Sequence, residues 1–317
     1  MKIALVGVGK IAQAQHVPAL QASPHWRLAA TVSQEGSVNG VKAYTDFDRF
    51  LDENPDIPVV SLCVPPAARF DYAYRALEAG RHIMLEKPPG ATLAEVEILS
   101  ALARQRGLTI YTTWHSRLAH AVAPAKVWLA GKTVSAARIV WKEDVRHWHP
   151  GQIWVSQPGG MGVFDTGINA FSILTEILPA PVYLQSASLE VPENWHVPIA
   201  ARLQFSGNVY AELDWRQTGP QTWDMEIDTD QGKLALRLGG NVLEINGKAV
   251  AGQDNIAGEY PALYARMADL VANGESEVDL MPMVHVADAL SLGRRTVISP
   301  FDLSLSASTA VTTGPAA

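Results

Sequence analysis

The sequence predicts a two-domain α/β protein, in which a doubly wound parallel sheet is followed by a domain built on a large, mostly antiparallel sheet. At 317 residues the chain is longer than one hydrophobic core usually organises. Short apolar runs alternate with amphipathic helical patterns as far as residue 118, which is typical of parallel βαβ units. From residue 119 to residue 301, strand-like runs are instead separated by hairpin turns. We therefore expect residues 1–118 and 119–301 to form two domains.

The first domain is predicted to have the Rossmann, dinucleotide-binding architecture, because its strands and helices alternate regularly. Its predicted strands are residues 2–6, 27–32, 59–64, 82–86 and 108–113. Its predicted helices are residues 11–22, 46–53, 70–79 and 92–106. The last helix begins with a capping box, in which the Thr92 hydroxyl and the Glu95 carboxylate satisfy free amides, and it ends at Gly107.

The second domain, residues 119–301, is expected to bind substrate and to mediate oligomerisation. After a linking helix, its strands are predicted at residues 136–141, 182–189, 199–205, 210–215, 225–229 and 233–238. One helix is inserted at residues 163–178, and two more close the fold at about 260–273 and 284–297. We expect the last helix to pack back on the Rossmann domain. Ser, Thr and Ala dominate residues 302–317, which predicts a disordered tail.

Composition argues against several classes of function. The net charge is −7 and the basic residues are scattered, so no stripe for nucleic acid is expected. No apolar run is long enough to span a membrane, and Gly7 and Gly9 interrupt the apolar N-terminus at once, which favours a cytoplasmic protein. Cys63 is the only cysteine, so no internal disulfide can form. The spacing of His and Glu residues fits no familiar metal motif, and no metal is expected.

A glycine motif at residues 7–12 directly follows the first predicted strand and opens a helix. Gly7 permits a tight turn there, and Gly9 lets the backbone approach a pyrophosphate. Amides at the helix start, around Lys10 and Ile11, would hold the phosphates together with the positive end of the helix dipole. The position of the motif at the first βα junction predicts a dinucleotide site rather than a merely structural turn.

The end of the second predicted strand should select the nicotinamide cofactor. An acidic residue there would bind the ribose hydroxyls of NAD and repel the phosphate of NADP. Ser33 and Gln34 occupy the position, no Arg is adjacent, and Glu35 lies slightly beyond it. Because a Ser hydroxyl can bind either group, we expect the protein to use both NAD and NADP. Three residues after the strand at 59–64 should border the nucleotide as rigid backbone: Val64, Pro65 and Pro66.

Three short motifs carry a family resemblance. EKP at residues 86–88, GxG at residues 7–9 and DxG at residues 165–167 together resemble the Gfo/Idh/MocA oxidoreductase family, and the resemblance covers essentially the whole ordered chain. Longer stretches are similar to the bacterial subgroup of this family that acts as L-arabinose/D-galactose 1-dehydrogenases. These stretches are residues 84–92, 113–117, 141–146, 148–152 and 162–165.

The resemblance implies an aldose 1-dehydrogenase. Such an enzyme oxidises the anomeric C1 hydroxyl of L-arabinose, D-galactose or both, in the pyranose form, to the aldonolactone and passes a hydride to NAD or NADP. It further implies that Lys87 and Asp165 are catalytic, and that Glu86 and Lys87 also border the cofactor. The residues implied to bind the sugar are Lys87, His115, Glu143, Trp148, His149, Asp165 and Asn169. For His115, contact with the cofactor and packing at the domain hinge are alternatives.

The residue types suit this chemistry by themselves. Lys87 follows a buried strand at the carboxyl edge of a parallel sheet, where ligands bind, and its ammonium can stabilise an oxyanion. Asp165 and Asn169 are four residues apart on one helix face, although Asp165 is also placed to cap the helix. The broader family usually has His where this chain has Asn169, and Asn cannot accept a proton at neutral pH. The proton acceptor therefore stays open, with Asp165 relayed through Lys87 as one candidate.

Residues 141–154 interleave tryptophans with charged and hydrogen-bonding residues. Aromatic surfaces beside such groups suit sugar rings, which present both C–H faces and hydroxyls. Trp141 and Trp154 are expected in the core or at an interface. His147 would point to solvent if the segment is extended.

Two other functions and one partner are considered. A dehydrogenase of an inositol or another sugar carbon is disfavoured by Asn169, and a non-catalytic nucleotide-binding regulator is disfavoured by the retention of Lys87 with Asp165. We also expect a homodimer formed through the C-terminal sheet, because its open face should expose apolar strand residues.

Overall fold

A computed structural model describes residues 1–252 and 258–304 of the protein. Its first sheet has six strands, β1 (Lys2–Val6), β2 (Arg27–Val32), β3 (Lys42–Tyr44), β4 (Val59–Leu62), β5 (His82–Leu85) and β6 (Ile110–Thr112). The strand order is β3-β2-β1-β4-β5-β6, and every neighbouring pair is parallel. This is the order of a Rossmann fold, so the predicted doubly wound sheet is confirmed.

The helices between these strands follow the predicted pattern closely. They are α1 (Val17–Ala22), preceded by a π-helical turn at Ala12–His16, α2 (Phe47–Glu53), α3 (Pro66–Glu78) and α4 (Leu93–Arg106). Thr92 and Glu95 form the predicted capping box of α4, and Gly107 ends the helix at a φ of 64°. The short strand β3 was not predicted, because only one of its three residues is buried and it has no apolar alternation.

The second sheet has nine strands, β7 (Val134–Lys142), β8 (Leu184–Pro192), β9 (Ala200–Phe205), β10 (Val209–Asp214), β11 (Thr222–Thr229), β12 (Gly232–Arg237), β13 (Val242–Ile245), β14 (Lys248–Gly252) and β15 (Arg294–Ile298). Their order is β14-β13-β12-β11-β7-β10-β9-β8-β15. Neighbours are antiparallel except for β7 with β10 and β8 with β15. The predicted large, mostly antiparallel sheet is therefore confirmed, although β13, β14 and β15 were missed.

One face of the second sheet is buried against helices. The helices of this part of the chain are α5 (Val122–Leu129), the short α6 (Val145–Trp148), α7 (Phe164–Ile177), α8 (Glu259–Asn273) and α9 (Met281–Leu292). Phe171 of α7 packs edge-on against Phe205 of β9, with ring centroids 5.9 Å apart. A Cβ on Gly167 would lie 2.5 Å from Leu213 Cδ1, so a larger residue there would require the Leu213 side chain to move. This close approach fixes the start of α7.

The open face of the second sheet is mainly charged rather than apolar, which differs from the expectation, although the edge strands β14 and β15 expose Val250 and Val297. It carries ion pairs that cross from strand to strand, such as Arg237 with Glu226 at 2.8 Å and Lys142 with Glu212 at 2.9 Å. The sequence alternation explains this arrangement. In β10 every second residue is buried, so Glu212 and Asp214 lie on the face opposite the helices.

The last helix does not pack on the Rossmann sheet, which corrects a second expectation. α9 packs within the core of the second sheet, where Met283 and Val286 are buried. The helix before it, α8, makes the return contact, and its Leu263, Tyr264 and Met267 join a core with Ile3 of β1. α9 also ends at Leu292, and the chain continues as β15 rather than as helix to residue 297.

Most of the predicted tail, residues 305–317, lies outside the described residues. Among residues 1–252 and 258–304, no helix combines the length and the hydrophobicity needed to cross a membrane. In the same residues, no three His, Cys, Asp or Glu side chains are grouped as a metal site would need.

Candidate active site

The glycine loop lies where β1 meets the first helix, as predicted. Gly7 has a φ of +88°, and a Cβ there would lie 2.7 Å from the backbone nitrogen of Val64. Gly9 is exposed, and a Cβ on it would meet nothing within 4 Å. Lys10 and Ile11 are exposed at the helix start. The loop therefore has an open side, which fits close approach of a dinucleotide pyrophosphate to the backbone.

Ser33 holds the segment beside this loop. Its hydroxyl oxygen accepts hydrogen bonds from the amides of Val8 at 3.2 Å, Gly36 at 3.3 Å and Glu35 at 3.4 Å. The neighbouring Gln34 is exposed and donates its amide to the carbonyl of Thr45. The Ser33 hydroxyl hydrogen stays available to a ribose hydroxyl or a phosphate, whereas the side chain of Gln34 is directed at the backbone.

Arg69 joins the two turns that flank the cofactor edge of the sheet. It is buried on α3 and donates to the carbonyls of Val64, Glu86 and Pro88. The Lys87–Pro88 peptide bond is cis. Pro65 and Pro66 open α3 directly after β4. One buried guanidinium thus fixes the turn of residues 64–66 relative to the turn that carries Lys87.

Glu86 is a buried acceptor beneath Lys87. It accepts hydrogen bonds from the Tyr260 hydroxyl at 2.6 Å and from the Lys87 amide, and His16 Nε2 lies 3.4 Å away. Burial alone would raise the pKa of Glu86, but hydrogen bonding and charge from His16, with the charges of His115 and Lys87, lower it below its usual range. Glu86 therefore stays ionised and orients the turn rather than exchanging protons.

Asp165, in the first turn of α7, contacts residues of both domains. The Lys87 ammonium donates to the Asp165 carbonyl at 2.8 Å and lies 3.4 Å from its Oδ1, while His149 Nε2 is 3.4 Å from its Oδ2. Asp165 is buried in the first turn of α7 but does not cap the helix, because Val163 is the N-cap residue and has no side-chain bond. The alternative role of Asp165 is thereby excluded. Lys87 and Asp165, both predicted as catalytic, are in contact.

Glu143 follows β7 and is almost completely buried, with 1% of its surface exposed. The Trp223 indole donates to its Oε2 at 2.8 Å, whereas its Oε1 is buried without a partner among the described residues. Burial raises the pKa of Glu143 to about 8, although the Trp223 hydrogen bond and the charge of Lys87 oppose the shift. At neutral pH its carboxyl group is thus protonated and can donate to a sugar hydroxyl.

We predict that Glu143→Gln stabilises the protein increasingly as the pH rises from 4.5 to 8. The folded protein keeps a proton on Glu143 up to a pKa of about 8, whereas the ordinary value is 4.5. The contribution of Glu143 to the free energy of unfolding of the wild type therefore falls through this window by up to ~1.4 kcal/mol per pH unit, and this contribution is constant on either side. Gln is neutral throughout and keeps an oxygen for Trp223. Calorimetry from pH 4 to 9, with the exposed Glu226→Gln as control, measures the difference; a gap that is constant with pH contradicts the assignment.

His149 uses both of its ring nitrogens within the protein. Nε2 faces Asp165, and Nδ1 lies 3.1 Å from the side-chain amide of Gln152. The ring also packs against Trp215, with centroids 5.3 Å apart. Burial lowers the pKa of His149, although Asp165 partly offsets the shift, so the ring is neutral at neutral pH.

His115 lies at the start of a 3₁₀ turn after β6. Its Nδ1 is hydrogen-bonded to the carboxylate of Glu259, which is 3% exposed. Its ring stacks on Tyr260, with centroids 5.4 Å apart and planes inclined by 21°. Both partners come from the first turn of α8. His115 is therefore held by the same helix that supports Glu86.

Two predicted sugar-binding residues have no side-chain hydrogen bond to this cluster. Trp148 is 38% exposed and packs against Trp223, with centroids 5.2 Å apart. Asn169 is half-buried one turn after Asp165, and its side chain makes no hydrogen bond to the described residues. His147 is exposed, although its segment is the short helix α6 rather than extended chain. Trp141 is buried, as expected.

Four contributors were not predicted as site residues: Arg69, Trp223, Glu259 and Tyr260. Arg69 had a local signal, because it occupies the buried face of α3 with Ala73, Ala76 and Leu77. A charged residue in an apolar helical stripe marks a buried acceptor. The two α8 residues had no such signal, because they meet the site through tertiary packing alone.

Comparison with known proteins agrees with this arrangement. Residues 1–113 match the family model described as the oxidoreductase family with an NAD-binding Rossmann fold. A galactose 1-dehydrogenase from Pseudomonas fluorescens is 39% identical over 307 residues, which cover 95% of this chain and 98% of that protein. The chain belongs to the Gfo/Idh/MocA oxidoreductase family. It is therefore a nicotinamide-dependent oxidoreductase.

Solved structures of this family extend the comparison to the whole fold. The crystal structure of a D-galactose 1-dehydrogenase from Rhizobium etli is similar with a TM-score of 0.90 and 49% identity, over 95% of this chain and 97% of that one. A 3-ketoreductase from Actinomadura kijaniata has a TM-score of 0.80 over 94% of this chain and 99% of that one. Its identity of 18% supports a shared fold alone.

Proposed function

We propose that this family member is an aldose 1-dehydrogenase that oxidises the anomeric hydroxyl of a pyranose to the lactone. The observation that carries the proposal is the contact of Lys87 with Asp165, which also lies beside His149, at the same edge of the parallel sheet as the glycine loop after β1. The relatives named as galactose dehydrogenases support an aldose as the substrate. L-Arabinose and D-galactose are the proposed sugars.

Lys87 and Asp165 are the proposed catalytic pair. The Lys87 side chain is 15% exposed, and its ammonium is proposed to donate to the anomeric oxygen and to stabilise negative charge that develops there. Asp165 holds the ammonium in place. Protonated Glu143 and neutral His149 are proposed to bind ring hydroxyls, together with Asn169 and the face of Trp148. His115 is proposed to lie where the sugar meets the nicotinamide.

Residues 1–118 are proposed to bind the cofactor through a backbone cradle. The open side of Gly9 and the helix start at Lys10 and Ile11 fit a pyrophosphate, and Ser33 fits the adenosine ribose. The bound nicotinamide dinucleotide supplies the hydride acceptor. Since Ser33 can donate to a hydroxyl or to a phosphate, we propose that both NAD and NADP are accepted.

The sugar assignment predicts a ranking of substrates. L-Arabinopyranose and D-galactopyranose share their hydroxyl configurations from C2 to C4, whereas D-glucose has the opposite configuration at C4. A site that hydrogen-bonds the shared hydroxyls should disfavour D-glucose by about ten- to a hundred-fold in kcat/KM, because a buried partner is left unpaired. Nicotinamide reduction monitored at 340 nm with each sugar measures this.

The same assay separates the alternatives. Oxidation of D-glucose as fast as D-galactose and L-arabinose would show that the hydroxyl-binding residues are misassigned. Turnover with an inositol but with no aldose would move the reaction to another carbon. Cofactor binding without turnover on any of these compounds would indicate a regulator.

We propose a homodimer in which the open faces of two C-terminal sheets pair. The face carries both signs of charge in close alternation, including Arg138, Arg202, Glu212 and Glu226, which suits a self-complementary twofold contact. Because charges rather than apolar groups would meet, the dimer should weaken as salt rises. Light scattering at micromolar protein in 50 mM and 1 M NaCl tests this, and a monomer at both concentrations contradicts it.

A further inference from the structure

The cleft holds five polar side chains that could take the proton of the anomeric hydroxyl, and two of them have the wrong chemistry. Asn169 cannot hold a proton at neutral pH. Glu143 already carries one there, since burial raises its pKa to about 8. Both therefore act as hydrogen-bonding groups in the neutral range.

Asp165 and His149 are able to accept a proton, but they already face each other, and Asp165 also contacts Lys87. The Asp165 oxygens face the Lys87 ammonium and His149 Nε2, so a proton taken by this carboxylate would cost both contacts. His149 Nε2 lies 3.4 Å from Asp165 Oδ2, so a neutral ring that carries its hydrogen beside this carboxylate keeps Nδ1 as its acceptor. That nitrogen already faces the Gln152 amide at 3.1 Å, and the amide can turn its NH₂ group toward it.

His115 differs from His149 in having one nitrogen unoccupied. Its Nδ1 is bound by Glu259, which fixes the N–H on that side. Its Nε2 has no hydrogen-bond partner in residues 1–252 and 258–304, yet it is not sealed from solvent. The side chain is 16% exposed. The Nε2 of the imidazole thus has a lone pair available as an acceptor, and the buried Glu259 carboxylate binds the opposite nitrogen.

His115 also lies beside Lys87 in the fold. Leu85 at the end of β5 pairs with Thr112 at the end of β6. Lys87 follows the first strand end by two residues, and His115 follows the second by three residues. They share one buried network, because His115 stacks on Tyr260, which donates to the same Glu86 carboxylate that accepts the Lys87 amide.

We propose that His115 is the general base of the reaction and that Glu259 is its positioning residue. The inference rests on the proposed oxidation at C1. The anomeric O–H bond breaks and its proton forms an N–H bond at His115 Nε2. The C1–H bond breaks with its electron pair, which leaves as hydride for the nicotinamide, and C1–O becomes the lactone carbonyl. The imidazolium is stabilised by Glu259 and returns its proton to water after the product leaves.

The test compares pH profiles of kcat in three variants. Besides its own Glu259, the titratable groups that face His115 are Tyr260 on α8 and Glu86 after β5. In wild type, kcat should fall with unit slope on the acid side as His115 is protonated. His115→Gln should lower kcat by about 10²- to 10⁴-fold and abolish this acid limb. Glu259→Gln should shift the limb to lower pH, because the imidazolium loses its carboxylate. The exposed His147→Gln should match wild type.

Two measurements distinguish a catalytic role of His115 from a structural one. The Kd of the reduced cofactor, from its fluorescence, should change less than about two-fold in His115→Gln, because the proton acceptor is not a phosphate ligand. Nitrogen-15 spectra of the histidines should place the wild-type His115 proton on Nδ1, and Glu259→Gln should weaken that preference. A His115→Gln enzyme that keeps more than about a tenth of kcat, or keeps the acid limb at the same pH, overturns the inference. If wild type oxidises no aldose at all, the proposed function fails instead.

Discussion

Lys87→Ala is expected to lower kcat for sugar oxidation by about 10²- to 10³-fold, the loss seen when one preorganised oxyanion donor is removed. The ammonium lies at the carboxyl edge of the Rossmann sheet and contacts Asp165 in the first turn of α7, where the anomeric oxygen is proposed to bind. Cofactor affinity should stay nearly intact, because the phosphates are proposed to bind at the glycine loop instead. Stopped-flow turnover and a cofactor Kd measured on the same sample give the two quantities.

Two controls guard this result against loss of folding. Removal of the ammonium leaves the buried Asp165 charge with His149 alone, so thermal stability must be measured beside activity. Lys87→Met keeps the apolar stem and should lose as much kcat as Lys87→Ala. Lys126→Ala removes an exposed lysine on α5 and should change neither quantity. A Lys87 variant that is folded and retains more than about a tenth of wild-type kcat removes this residue from the chemistry.

Features whose interacting residues are close together in the sequence could be predicted from the sequence. The capping box at Thr92 and the stop at Gly107 were read correctly because both act within one turn of α4. The glycine loop and Lys87 were found because each directly follows a buried strand. At these positions the side chain, its partner and the strand end lie within a few residues of each other.

The partners of the site could not be predicted in this way. Glu259 meets His115 across 144 residues, and Tyr260 meets Glu86 across 174. Nothing near residue 259 indicates that its helix returns to the Rossmann sheet. The same lack of long-range information explains why α9 was assigned the contact that α8 makes.

The charged open face had a signal in the sequence that was not used. In β10, Val209, Ala211 and Leu213 alternate with Tyr210, Glu212 and Asp214, and the apolar set is the buried one. With one face covered by helices, period-two alternation leaves the polar set on the other face. The expectation of apolar residues on this face did not take the alternation in β10 into account.

Gly9→Ala and Gly7→Ala are expected to separate cofactor affinity from stability. A Cβ on Gly9 meets nothing within 4 Å in the protein, so Gly9→Ala should fold with an unchanged Tm. The same methyl group would occupy the space that a pyrophosphate needs against the backbone, and the Kd for NAD and NADP should rise about ten- to a hundred-fold, equivalent to ~1.4–2.7 kcal/mol.

Gly7→Ala should behave in the opposite way. Its φ of +88° is unfavourable for a Cβ, and the added atom would lie 2.7 Å from Val64 N and 2.9 Å from Cys63 C. The backbone of residues 63–64, which follows β4, would have to shift, so a loss of about 1–3 kcal/mol in stability is expected together with weaker cofactor binding. Thermal unfolding and fluorescence titration of both variants provide the comparison. If Gly9→Ala binds NAD and NADP as tightly as wild type does, the pyrophosphate does not lie against this loop. With the fold unchanged, the added methyl group is the only difference that the cofactor would meet there.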